Sequence, residues 1–191
     1  MTLKLIIPSA ASSALDLTEA KLHLRVDSTD DDFLIQSMIG AASELVEQAT
    51  SRVLLAQTWE LSLDSFPAYF ELSRVPLQSI TSIKYTDSTG TVQTMSNTDY
   101  VISSDESDYA KVYPAYGVTW PNSRGDMGNV KVRFVAGYAD ASSIPESLRS
   151  WMKLAVGSMY VNRESEVVER GSVLSLGFAD RLLDRYKVFR L

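Results

Sequence analysis

The sequence predicts an α+β fold: a small helical bundle with an inserted antiparallel β-rich sandwich or barrel-like domain and a C-terminal arm. Three observations lead there. Apolar residues recur every three or four positions before residue 50 and again after residue 143, the period of one helical face. Between residues 58 and 135 short runs alternate apolar and polar, as half-buried strands do. Turn-forming clusters separate those runs. The expected organisation is an N-terminal helical part over 1–52, a β-rich insert over 53–142, a long helix over 143–164 that completes the bundle, and a flexible arm with a short helix over 165–191.

The elements follow in order. Asp16-Leu17-Thr18-Glu19 opens a short helix over 18–24, with Thr18 as its N-cap, Glu19 where the helix dipole favours an anion, and Leu17 as a staple residue. Asp30, Asp31 and Asp32 lead into a longer helix in which Leu34, Met38, Ala42, Leu45 and Ala49 recur at helical spacing. It ends near residues 50–52. Strands are expected at 58–64, 69–73, 80–85, 92–95, 100–103, 110–113 and 130–135, and 121–128 reads as an exposed loop. Ser143-Ile144-Pro145-Glu146 then starts a helix, with Glu146 as capping-box partner of Ser143 and Leu148, Met152, Ala155 and Met159 on one face. Gly171 and Gly177 mark a mobile connection before a last short helix over 178–186.

At 191 residues, with 45% hydrophobic and 22% charged side chains, composition is that of an ordinary globular chain. A chain of this length buries about 70% of its unfolded surface, so it needs no covalent staple. It has no cysteine, which removes disulfides, thiolate nucleophiles and zinc–sulfur sites at once. No apolar run is long enough for a secretory signal or a membrane span, so a soluble protein without membrane contact is expected. The net charge of −6 is uneven. Residues 1–50 carry 3 basic and 8 acidic side chains, and residues 129–191 carry 10 and 7. An acidic body argues against gripping nucleic acid, while the cationic end suits an acidic partner.

Enzyme chemistry finds few candidates. The single histidine, His23, lies between two leucines on a short helix and reads as a surface residue, not as a triad base. Asp30, Asp31 and Asp32 splay around a helix start and do not converge on a metal ion. The acidic stretch Ser104-Asp105-Glu106-Ser107-Asp108 lacks the glycine and distal glutamate of a calcium loop and reads as a hairpin tip. No phosphate loop or dinucleotide fingerprint is present. Tyr113, Tyr116, Trp120 and Tyr138 could line a sugar platform or a protein interface, although sheet core is the expected fate of at least half of them. No catalytic residue, cofactor or metal is expected.

Several stretches carry information when taken together. The opening Leu17-Thr18-Glu19-Ala20-Lys21-Leu22-His23-Leu24-Arg25-Val26-Asp27, with Asp31-Asp32 and the alanine-bearing helix, is one. Ala49-Thr50-Ser51-Arg52-Val53-Leu54 running into Gln57-Thr58-Trp59, and Arg74-Val75-Pro76-Leu77-Gln78-Ser79-Ile80, are others. Trp120-Pro121, Phe134-Val135-Ala136-Gly137-Tyr138, Ile144-Pro145 and Met159-Tyr160-Val161-Asn162-Arg163-Glu164 continue the likeness, with Leu182-Leu183-Asp184-Arg185-Tyr186 as a weaker terminal echo. Together they resemble the head–tail connector proteins of tailed bacteriophages, in the longer form that carries a β-rich insert; the chain departs from that family's pattern at Asp184-Arg185-Tyr186, where a proline-containing end is expected.

The resemblance implies a virion protein made in the bacterial cytoplasm, with no catalytic residues. It implies a ring, expected to be twelvefold, seated under the portal protein, extending the DNA channel and offering a platform to the next tail-side connector or terminator. Double-stranded DNA is expected to pass without specific binding. The candidate portal-docking arm comprises Phe178, Arg181, Leu182, Leu183, Arg185, Tyr186, Lys187, Phe189 and Arg190, and its removal is expected to leave the fold intact. The candidate ring-wall helices carry Leu34, Met38, Ala42, Leu45, Leu148, Met152 and Met159. A β-sandwich carbohydrate-binding or other interaction module is the alternative.

Overall fold

The computed structural model describes residues 1–9, 13–103, 109–162 and 177–188. The chain divides into two compact units, one from Met1–Ala10, Leu55–Tyr138 and Val188–Leu191, the other from Ala11–Leu54 and Ala139–Lys187.

The first unit is all β. Strands β1 (Thr2–Ile7), β2 (Gln57–Leu63), β4 (Leu77–Thr86), β5 (Val92–Thr94) and β8 (Val130–Ala136) form one antiparallel sheet in the order β1-β2-β8-β4-β5. Strands β3 (Phe70–Leu72), β6 (Tyr100–Ser103) and β7 (Ala110–Pro114) form a second, in the order β3-β7-β6. Neither sheet closes into a barrel. Alternation explains both. Leu61, Leu63, Ile83, Val130, Val132, Phe134 and Ala136 from the large sheet share a buried core with Phe70, Leu72, Ala110 and Val112 from the small one. The sandwich expectation therefore holds, and the expected strands match the observed ones to within a few residues at each end.

Strand β1 is the element that the sequence reading misses. Leu3 and Leu5 have the right period, but Ile6, Ile7 and Pro8 follow at once and erase the alternation. Its identity as a strand comes from pairing with β2, through Thr2↔Ser62 to Ile7↔Thr58. Just past the end of β8, Gly137 has φ +114°, and a Cβ there would lie 2.4 Å from the Leu55 carbonyl oxygen, so only glycine fits. The Gly137 amide donates to the Pro76 carbonyl at 2.8 Å, and the Gln78 side-chain amide donates to the Gly137 carbonyl at 2.7 Å. Two of the stretches that carry the family resemblance thus meet at one backbone corner.

The second unit is helical: α1 (Leu17–Leu24), α2 (Asp32–Thr50), α3 (Glu146–Val161) and α4 (Gly177–Asp184). Helix α2 packs on α1, α3 and α4. Its buried residues are Ile35, Met38, Ile39, Ala42, Val46 and Thr50. This stripe shares only Met38 and Ala42 with the expected one. Leu34 is half-buried, while Leu45 and Ala49 are exposed. Two neighbouring apolar stripes on this helix have the same period, and periodicity alone does not choose the one that faces the core. Along α3 the buried stripe is Leu148, Met152 and Val156.

The helix starts also differ from expectation. Asp16, not Thr18, caps α1: its carboxylate accepts from the Thr18 amide at 2.6 Å, which places Leu17 in the first turn. Ser143 closes a 3-10 turn over Ala141–Ser143 whose own cap is Asp140, accepting from the Ser143 amide at 2.8 Å. Pro145 then occupies the cap position of α3 with extended backbone and no side-chain cap. That leaves Glu146 free to turn forward to Arg149 and Lys153 instead of back to Ser143.

Candidate functional site

The candidate docking arm is partly built into the helical unit. Leu183 is buried in it, and Leu182, Tyr186 and Lys187 are half-buried. Arg181 and Arg185 are exposed. Phe178 stands in α4, while Phe189 and Arg190 lie outside the described residues, as does the connection over 163–176. Arg52 holds the arm: it is 3% exposed, its Nε donates to the Tyr186 carbonyl at 2.8 Å, and its guanidinium lies 5.6 Å from the Tyr186 ring centroid. Cation–π contact and a charge-assisted hydrogen bond act together on a desolvated group. Cutting the chain before residue 178 would strip Arg52 of this partner and uncover the surface under Leu183. The expectation that the arm can be removed without cost to the fold is therefore corrected.

Of the ring-wall candidates, Met38, Ala42, Leu148 and Met152 lie in the core, Leu34 and Met159 are half-buried, and Leu45 is 46% exposed. Only the last three offer apolar area to another molecule.

Polar clamps hold these helices in register. Glu19 in α1 receives Arg149 and Lys153 from α3, the latter at 3.0 Å, and Lys153 also reaches Glu146 at 3.0 Å. Burial pushes the Glu19 carboxyl up, but the hydrogen bonds and charges of Lys153 and Arg149 outweigh it and hold the group below the usual glutamate range. The Tyr160 hydroxyl donates to Asp31, and Lys21 pairs with Asp32. The aspartate triplet is thereby spread over three fates, since Asp30 is exposed.

No group of His, Asp or Glu among the described residues could hold a metal ion. His23 is exposed. The acidic stretch 104–108 lies outside the described residues. Trp120 stacks on Phe66 with centroids 5.0 Å apart, Tyr113 stacks on Tyr69 at 5.2 Å, and Tyr116 is fully exposed. No helix among the described residues is long and apolar enough to cross a membrane.

The sequence reading misses one surface altogether. On the outer face of the large sheet Lys84 of β4 stands directly opposite Lys131 of β8, beside the Arg133–Glu60 pair at 2.9 Å. Together with Tyr85, Val92 and Met127 they border a depression of about 560 Å³. Cations drawn from strands 47 residues apart in sequence give no local signal.

The fold as a whole has counterparts in solved structures. In the neck of an empty GTA particle, computed with C6 symmetry, one chain matches with a TM-score of 0.77 at 20% identity, covering 100% of this chain and 97% of that one. A chain from the virion of a native gene transfer agent (GTA) particle gives the same figures. The neck of the native GTA particle, computed with C12 symmetry, gives 0.74 at 19% identity, again over 100% and 97%. No curated protein sequence matches this chain. Residues 14–115, more than half of the chain, match the family model for phage gp6-like head-tail connector proteins, and the chain belongs to that family.

Proposed function

We propose that this chain assembles as a ring beneath the portal of a tailed phage or gene transfer particle, prolongs the DNA channel and presents a platform to the next tail-side protein. The family match over 14–115 carries this reading. The chain is a structural connector and not an enzyme. Twelve subunits are expected, in keeping with the C12 symmetry of one neck whose fold this chain shares. The arm docks on the portal through the outward cations Arg181 and Arg185, which guide encounter, with Tyr186 and Leu182 supplying apolar contact at the margin. The net charge of −6 lets duplex DNA pass, since an acidic body gains little from counterion release.

The test is to mix the purified chain with portal rings and image the product. Stacked rings with a continuous channel are expected. Arg181→Glu with Arg185→Glu, which spare the buried Leu183, should weaken portal binding about tenfold or more. A chain that binds no portal at any concentration refutes the reading. Tight binding of duplex DNA at physiological salt would refute the passive-channel part alone.

A further inference from the structure

We propose that the depression on the outer face of the large sheet receives the N-terminal corner of α2 from a second copy of this chain. Phe33 enters between Val92 and Met127, while Asp27 and Asp30 meet Lys84 and Lys131. The inference rests on the ring reading above and names the contact that builds it.

The receiving surface is unusual for a sheet. Lys84 and Lys131 face each other across adjacent antiparallel strands, an arrangement that costs stability because like charges sit directly opposite. Neither has an acidic partner among the described residues; the nearby carboxylate Glu60 is taken by Arg133. A carboxylate placed between the two ammonium groups would turn this cost into attraction. Beside them Val92 is 66% exposed and Met127 94% exposed, so the rim offers apolar area together with charge. The hollow has room for a benzyl group.

The inserted surface carries the complementary pattern. Phe33 is 90% exposed, an aromatic side chain held outward by the first turn of a 19-residue helix. Lys21 and Tyr160 hold the start of that helix through Asp32 and Asp31, so Phe33 is presented on a fixed backbone and little ordering entropy is lost on docking. Asp27 and Asp30 are exposed and have no ion pair among the described residues. A buried aromatic anchor ringed by charge pairs is the composition of an interface hot spot. The two surfaces differ, as a head-to-tail ring requires: each subunit gives one and receives the other.

Duplex DNA is the competing occupant. Phosphates would gain from Lys84 and Lys131 but nothing from the exposed apolar rim of Val92 and Met127.

The absence of cysteine makes the contact directly testable. Two single-cysteine chains, Phe33→Cys and Met127→Cys, are mixed in equal amounts and oxidised at about 50 mM salt, where surface charge pairing is only weakly screened. The expected result is a mixed disulfide dimer that exceeds both self-dimers together about fivefold or more, and that declines as salt is raised. A random distribution of dimers, or none, overturns the proposal. Lys84→Glu with Lys131→Glu in the Met127→Cys chain should abolish the mixed product, and Asp27→Lys with Asp30→Lys in the Phe33→Cys chain should restore it. Each charge variant is also tested against an unchanged partner; a mixed product retained in either case overturns the contact. If Lys84→Glu with Lys131→Glu instead removes duplex binding while dimers stay random, the face is a DNA surface. Rings that persist on the portal with these reversals in place overturn this contact and leave the connector reading standing.

Discussion

The two units of this chain are held together by different means. Thr50 and Arg52 are the buried polar or charged residues among the described ones, and both belong to the helical unit. The β unit is closed chiefly by apolar side chains and backbone ladders, and its side-chain bonds, such as Arg133 to Glu60 and Gln78 to the Gly137 carbonyl, involve no fully buried polar side chain. The helical unit adds clamps between side chains far apart in sequence: Arg52 on Tyr186, Tyr160 on Asp31, and Arg149 and Lys153 on Glu19. Apolar packing is insensitive to pH and intolerant of shape change, whereas clamps break one at a time and respond to charge. Damage to the β unit should therefore be all-or-none, and damage to the helical unit graded.

The largest effect is expected in the β unit. Gly137→Ala would set a Cβ against the Leu55 carbonyl in a left-handed backbone conformation. Together these should cost about 4 kcal/mol or more, at the extreme of single substitutions. Phe134→Ala, at a fully buried site, should cost about 3–5 kcal/mol by cavity formation. Denaturant titration of either variant measures this. A loss below about 1 kcal/mol for Gly137→Ala would mean that the corner with Pro76 and Gln78 yields, and the contrast between the units would fall.

A smaller and local effect is expected from Arg52→Met, which keeps much of the side chain's volume but removes its donors and charge. The hydrogen bond to the Tyr186 carbonyl is charge-assisted, so about 1.5–3 kcal/mol should be lost. Hydrogen exchange should then rise in α4 and leave β2 and β8 unchanged. Equal exchange in both units would show that the clamp serves the whole molecule.

The same division decides what the sequence discloses. Strands β2–β8 are legible because period two admits one register: a slip of one residue turns every apolar side chain outward. Helix α2 is legible as a helix but not in its orientation, since Leu34 and Leu45 on one stripe and Ile35 and Val46 on the next serve the same period. The tie between Arg52 and Tyr186 spans 134 residues and leaves no local trace, so the arm reads as free when part of it is packed. Lys84 and Lys131 are likewise ordinary strand lysines until the sheet sets them face to face. The family is readable because it depends on the order of many short stretches, while the proposed contact surfaces depend on pairings that only folding creates.

The mildest test is acid. Glu19 is ionised in the fold and held so by Lys153 and Arg149, whose hydrogen bonds and charges overcome the upward push of burial. Its folded pKa lies below the unfolded one, near about 4.3, so its contribution is fully present above that value and is lost as pH falls through the folded pKa. Exposure of about a quarter of its side chain limits that contribution to about 1 kcal/mol. Glu19→Gln should therefore weaken the helical unit by that amount at neutral pH, with the gap to the native chain closing as pH drops below about 4. In the β unit the strongly depressed carboxyl is Asp87, held by hydrogen bonds from Thr89 and Gln93 at an exposed hairpin tip. Its protonation should loosen the turn between β4 and β5 and leave the core intact. Acid titration followed by hydrogen exchange should accordingly open α1 and α3 before β2 and β8. The reverse order would mean that the clamps contribute nothing and that apolar packing alone sets the stability of both units.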